Sequence, residues 1–423
     1  MSLLSQASLV VTPNAFKASK LYSVIPSDGS GDMTSTRATT DTRVNENGLI
    51  ETVASNVPRI DYTSGQGAIL VEPQSTNSVL RSEDTDNVIW IKEFISSSNN
   101  NTLSPSGVLN ASKIFANSTS NIYTRRLRTP SAAVTSGITY TSSFFVKKAQ
   151  YNFIHFRYSY GGGDIGLCLN MNTFAVTQGF IDGNNPTSFP PSYFVVNYPN
   201  GWVRVVATFT APSTTNFILF VQPSTSATTT LHTPVLNDGF FFWGAQLEAG
   251  SYATSYIPTV ASTVTRNADV ISKTGISSLI GQTEGAVFVE LNFNSSTSKT
   301  NVNRIVELTN SINSDRIIIA FSGVNSLITR VTVSGVEQAS FTAAGIAVGK
   351  LKVALSYSSN GCKFYINGVL RQSNLSATIP ITNTINLGFS GATSGNHLND
   401  SINSFQLYKT ALTDTECITL TTL

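Results

Sequence analysis

Asn200-Gly201 lies between two β-branched runs and constrains its surroundings tightly. A tight reversal needs positive φ at two successive positions, and Asn-Gly supplies them at low cost. The run after it alternates strictly. Val203, Val205, Ala207 and Phe209 share one face, and Trp202, Arg204 and Thr208 share the other. A period of two marks a strand with one face in a core. Runs of the same kind occupy 140–147, 151–160, 165–170, 193–197, 202–210, 216–222 and 239–248, each closed by a turn. Seven short strands at such spacing predict a sandwich or jelly roll.

The last of them, FFFWGAQLEAGSYATSYIPT at 240–259, begins as an aromatic strand and ends in a polar linker stopped by Pro258. It closes one domain and leads into the next. Residues 260–423 repeat the all-β pattern, with strands expected at 285–294, 303–308, 316–321, 327–333, 350–356, 362–366 and 384–388 and turns at Asn360-Gly361 and Asn367-Gly368. Thr413 and Glu416 have capping-box spacing, so a short helix should end the chain. Residues 1–86 hold short β-prone runs separated by turns such as Asp28-Gly29 and Asn47-Gly48. With few large apolar side chains, this segment reads as an extended arm that must pack on a neighbouring domain or chain. The expected organisation is an arm over 1–86, a jelly roll over 87–259 and a second sandwich over 260–423.

Charged residues make up 12% of the chain, about half the usual share, and the net charge is +2. A polar surface must therefore come from Ser, Thr, Asn and Gln, which suits carbohydrate contact or packing in an assembly. Arg125-Arg126-Leu-Arg128 is the nearest approach to a basic stripe and reads as solvated residues at a strand end, so no nucleic-acid partner is expected. Cys168, Cys362 and Cys417 are odd in number and widely spaced, which predicts buried thiols and neither a disulfide framework nor a zinc site. The opening MSLLSQ lacks a charged n-region, and no apolar run reaches bilayer length, so neither a signal peptide nor membrane insertion is expected.

No catalytic set emerges. Gly161 to Gly166 satisfies the letter of the dinucleotide fingerprint, but the residues that follow form a strand where the phosphate site needs a helix. Gly345 to Lys350 has one residue too few between its glycines for a P-loop. His155, His232 and His397 stand alone, and nothing selects a carboxylate pair among Glu248, Glu290 and Glu307. Asn396, Asn399 and Asp400 form a polar loop with a weak resemblance to a calcium site. The expectation is a protein that is not an enzyme and has no cofactor or metal. For a glycan platform the candidates are Trp202, Arg204, His155, Arg157, Tyr158 and Tyr160, a mixed aromatic and polar set on which sugar rings can stack. Core packing is the competing role for the same aromatics.

Four parts of the chain resemble known families. The leader GDMTSTRATTDTRVNENGLIE at 31–51, with NVPRIDY at 56–62 and LVEPQSTN at 70–77, resembles that of tailed-bacteriophage virion proteins. The closing run at 240–259, with Thr263 to Asp269 after it, resembles the end of a jelly-roll module common in such proteins. YPNGWVRVVATFTA at 198–211 is similar to a strand pair in carbohydrate-binding modules. The block from Leu351 through Lys363–Val369 to Leu412 resembles laminin-G or concanavalin A-like sandwiches. These resemblances imply an all-β virion structural protein of fibre, spike or decoration type: two β-sandwiches, a jelly roll and a concanavalin A-like one, preceded by an extended N-terminal arm. They also imply partners among capsid or tail proteins, contact with cell-surface or mucus glycans, and residence on the virion after synthesis in the bacterial cytoplasm. Phage fibres and spikes are often trimers, so a homo-oligomer is expected, with a trimer among its forms.

Overall fold

Alternation and turn chemistry decide the strands of the computed structural model, which describes residues 2–161, 164–181, 183, 185–293, 302–310, 314–391 and 396–423. Asn200 and Gly201 take φ of 60° and 77°. They join strands Ser192–Asn197 and Trp202–Thr210 in an antiparallel pair running from Ser192↔Thr208 to Asn197↔Val203. Thr413 caps the terminal helix Asp414–Thr421 through the Glu416 amide, and Glu416 reaches back to the Thr413 amide. Among the described residues the chain is all-β apart from this helix and two short 3-10 turns. Gly162 and Gly163 of the fingerprint-like loop lie outside the described residues; Asp164–Asn170, just beyond them, is a strand.

The chain divides into two compact units. One holds 47–51 and 75–266 and is a jelly-roll sandwich. Its first sheet has the order Ile95–Leu103, Leu109–Ala116, Gly239–Ala249, Thr139–Lys148, Trp202–Thr210 and Ser192–Asn197. Its second has the order Val176–Gln178, Asp164–Asn170, Phe153–Ser159, Thr215–Ser224, Arg126–Arg128 and Ile91–Glu93, with Ala132–Val134 also paired to Thr215–Ser224. The expected inner face holds. Val203, Val205, Ala207 and Phe209 pack with Phe144 and Phe242 of the first sheet against Ile154, Phe156, Leu167, Phe217 and Leu219 of the second.

Buried polar pairing accounts for the closing motif in this unit. Asn77 donates to the Ala245 and Ile257 carbonyls at 3.0 and 2.8 Å and accepts from the Leu247 amide at 3.2 Å. Gln246 donates to Glu248 at 2.6 Å and accepts from the Ile257 amide at 2.7 Å. Glu248 also accepts from Ser75 at 2.6 Å and from the Thr254 hydroxyl. Each polar side chain satisfies a buried partner, as an interior demands. The motif is a clasp folding 251–259 back over the outer side of the first sheet.

The other unit holds 1–46, 52–74 and 267–423. Its sixteen-stranded sheet, fourteen strands in one hydrogen-bonded path and two paired beside it, wraps around one core in which Val289, Leu291 and Val353 meet Ile305, Leu308 and Ile317. The expected 1–86 arm does not stand apart. Leu9–Lys17 pairs with Asp400–Tyr408, and Met33–Thr36 pairs with Val270–Thr274, so N-terminal strands lie in mid-path. Burial is the reason: Leu9, Val11, Leu21 and Met33 are fully enclosed in that core. A buried charge network pins the same segment. Arg59 meets Asp41 at 2.6 Å, Glu72 at 2.8 Å and Asp269 in a two-pronged pair, and Arg37 reaches Asp269 at 2.9 Å.

Candidate functional site

The six residues expected to form a glycan platform do not come together. Trp202 and Arg204 lie on the outer side of the first jelly-roll sheet, whereas His155, Arg157, Tyr158 and Tyr160 belong to the second. Trp202 is 1% exposed, packed with Phe145, Trp243 and Tyr256, and its indole N–H donates to the Leu103 carbonyl at 2.9 Å. Arg204 donates to Ser143 at 2.8 Å and to the Thr254 carbonyl at 2.9 Å, and lies over the Phe145 ring. Both hold the returning 251–259 segment, whose cover over this face the alternation pattern could not reveal. Tyr158 faces the core with no exposure, and Tyr160 is half-buried against Phe209 at 4.5 Å.

His155 and Arg157 do share the outer side of the second sheet, and an unforeseen cluster surrounds Arg157. Arg126, Arg128 and Arg157 converge on the ring of Phe220, with guanidinium carbons 4.8, 5.1 and 3.8 Å from its centroid. Cation–π contacts of this kind contribute about 0.5–2 kcal/mol each. Pairing fixes the convergence: Arg128 sits opposite Phe220 on one side, and Arg157 opposite it on the other. Glu93 accepts from Arg126 at 2.6 Å and from Arg128 at 3.1 Å, while Asp164 lies 3.9 Å from Arg157. Of the three side chains, Arg128 is the most open to solvent, at 26%.

The expectation of solvated strand-end arginines is therefore corrected. Arg126 and Arg128 are two residues apart on a strand, so they project from one face, and Phe220 draws both down. That Arg-x-Arg spacing was the available signal. Arg125 points the other way and is buried, donating to the Ser120 carbonyl at 2.7 Å.

Deeper on the same side, the Cys168 sulfur lies 3.6 Å from His155 Nε2. Burial pushes the thiol up to about 12 and the imidazole down to about 4. At neutral pH both are uncharged, so the thiolate–imidazolium pair of a cysteine nucleophile does not form. Glu248 is spent in the clasp, Glu307 accepts from Asn386 and the Gly391 amide, and Glu290 pairs with Lys350 at 2.9 Å. Among the described residues no group of three His, Cys, Asp or Glu is placed to hold a metal ion. A partly exposed guanidinium held beside a ring suits different chemistry, paired N–H donation to a carboxylate or to neighbouring hydroxyls.

A family model described as the Concanavalin A-like lectin/glucanases superfamily matches residues 278–417, about a third of the chain, all within the other unit. No curated protein matches the sequence. Among solved structures, the Ruminococcus gnavus IT-sialidase CBM40 bound to alpha2,3 sialyllactose is 16% identical, covering 36% of this chain and 91% of that one, with a TM-score of 0.30. The binding domain of Botulinum neurotoxin DC in complex with rat synaptotagmin II is 16% identical over 36% of this chain and 40% of that one, at 0.30. NanB sialidase from Streptococcus pneumoniae is 17% identical over 36% and 26%, also at 0.30. Likeness at this level carries no functional weight; the family match gives 278–417 a concanavalin A-like fold.

Proposed function

We propose that this chain is a non-enzymatic adhesion protein that binds acidic glycans through the arginine-lined face of its jelly roll, as a structural component of a tailed-phage particle. The observation that carries the binding role is the convergence of Arg126, Arg128 and Arg157 on Phe220, an ordered donor surface that Arg128 opens to solvent. The concanavalin A-like match supports a lectin-like character. The virion setting, on head or tail, rests on the wording of the leader and closing motif. A purely structural decoration role is the second reading; it is favoured by the strand Ser192–Asn197, which exposes Tyr193 and Phe194 at a sheet edge.

The test is a glycan array with the full chain, Arg128→Ala and Arg128→Lys. Selective binding of carboxylated or sulfated glycans, lost in the alanine variant and weakened in the lysine variant, is expected. Absence of binding to any glycan by a folded protein, or equal binding by Arg128→Ala, would remove the adhesion role. Mass spectrometry of purified particles checks the virion setting separately, by presence or absence of the chain.

A further inference from the structure

The geometry points to strand Ser192–Asn197 as the contact between two copies of this chain, joined edge to edge about a twofold axis. This strand ends the first jelly-roll sheet and pairs on one side only, with Trp202–Thr210, in six unbroken register pairs. Its sequence, SYFVVN, has no charge, no glycine and no proline inside it. Tyr193 is 38% exposed and Phe194 40%, and Phe189 stacks on Tyr193 at 5.5 Å, itself largely exposed.

Exposed edges are normally blunted by charge, brevity or a bulge. Among the described residues the other sheet ends show those devices. Ile95–Leu103 is polar through its middle and its register is broken twice. Val176–Gln178 and Ile91–Glu93 have three residues each, the latter with Lys92 and Glu93. In the other unit, Val336–Ala344 carries Glu337 and Val369–Ser373 carries Arg371. Among these ends, Ser192–Asn197 alone is long enough to pair and unprotected.

A second copy is the occupant that this edge specifies. Antiparallel pairing about a twofold is self-complementary, so each strand supplies what the other needs. Val195 packs against the core, and Tyr193 and Asn197 share its side of the sheet while remaining exposed; Ser192, Phe194 and Val196 lie on the other side. A continuous sheet keeps like faces together, and an axis through Phe194 then sets Phe194 against its own copy and Tyr193 against Val195 of the other copy. Aromatic and β-branched partners of this kind stabilise antiparallel sheets. With no charge in the strand, nothing repels at the axis, and nothing encodes a charged foreign partner. Pro190 and Pro191 before it and Pro199 after it confine pairing to this one strand, which fits closure at two copies.

Sedimentation velocity over a rising concentration series tests this on the full chain, with Phe194→Lys, Phe194→Thr and Phe194→Cys. The expected result is a wild-type dimer, a monomeric Phe194→Lys with unchanged circular dichroism and melting, and a Phe194→Thr that still dimerises, less tightly. Phe194→Cys should form a covalent dimer on mild oxidation, because the three native thiols are buried. A wild type that stays monomeric overturns the proposal and leaves the edge to a foreign strand; so does a trimer, or a dimer indifferent to lysine. Glycan binding by Phe194→Lys distinguishes this failure from that of the arginine face, since the lysine variant should keep its array profile.

Discussion

Removing the Asp269 carboxylate should be among the most damaging single changes available in the lectin-like unit. Asp269 takes Nε and Nη2 of Arg59, Nη1 of Arg37 at 2.9 Å and the Glu72 amide at 3.0 Å. Arg37 and Arg59 are essentially without solvent contact. Burial alone would lower the Arg59 pKa, yet Asp269, Asp41 and Glu72 hold it well above its usual value. Asp269→Ala leaves four donors without this acceptor, each worth about 1–3 kcal/mol when buried. Relaxation and water entry reduce that sum, so about 3–5 kcal/mol is expected, the range for breaking a buried pair from one side. Urea unfolding by far-UV circular dichroism measures it. Trp90, Trp202 and Trp243, the chain's three tryptophans, all lie in the jelly-roll unit, so their fluorescence supplies an internal reference. A cost below about 1 kcal/mol, the scale of an exposed pair, would refute the view that this network locks the N-terminal strands in place.

Trp202→Ala should cost about 3–5 kcal/mol, because a fully packed indole leaves a cavity and an orphaned Leu103 carbonyl; thermal melting reads it, and a melting point within a degree or two of wild type would restore Trp202 as a surface residue. The three thiols should resist a disulfide reagent at pH 8 until denaturant is added, because each is buried and its pKa is raised above the ordinary thiol value. His155 is neutral when folded down to about pH 4, against 6.5 for the free side chain, so the unfolded chain binds the extra proton between those values. Stability should be complete above pH 6.5 and fall by about 2–3 kcal/mol on the way to pH 4, with the slope reduced in His155→Leu. Thr413→Ala should remove the hydroxyl arm of the capping box, leaving the Thr413 amide to Glu416, and cost about 1 kcal/mol, measured as a shift in the urea midpoint.

Local chemistry was legible in the sequence. Asn200-Gly201, the Thr413–Glu416 box and the strand around Val203 to Phe209 follow from preferences acting over a few residues. Which layers those strands join was not. Period two places Trp202 and His155 on faces opposite to their core neighbours, but does not say that two different sheets carry them or that 251–259 folds over one. The N-terminal strands escape a local reading for the same reason. Leu9 pairs with Leu407 across nearly the whole chain, and nothing within either run announces the other. Sparse apolar residues in 1–86 suggest an arm only while the count stays local, because the cores that bury them are completed far along the chain, Leu9 and Val71 by 267–423 and Ile50 and Val79 by the jelly roll.

The polar residues of the closing motif bear on where function lies. Gln246, Glu248 and Thr254, together with Asn77, spend their hydrogen bonds on one another and on buried backbone, so that motif records how the sandwich shuts. The Arg37 and Arg59 network is likewise inward, its cations enclosed by Asp41, Glu72 and Asp269. In a chain with only 12% charged residues, charge is placed sparingly, and a cluster of like charges that reaches solvent stands out. Arg126, Arg128 and Arg157 form such a cluster. Phe220 orders the three guanidinium groups from below, while Glu93 accepts from Arg126 and Arg128 and Asp164 lies beside Arg157, so the three cations meet two carboxylates and one positive charge is left in excess. The proposed contact with an anionic partner therefore rests on the excess positive charge and on Arg128, the most open of the three, and that exposure sets the cluster apart from Trp202 and Tyr158, whose rings are consumed by the sandwich itself.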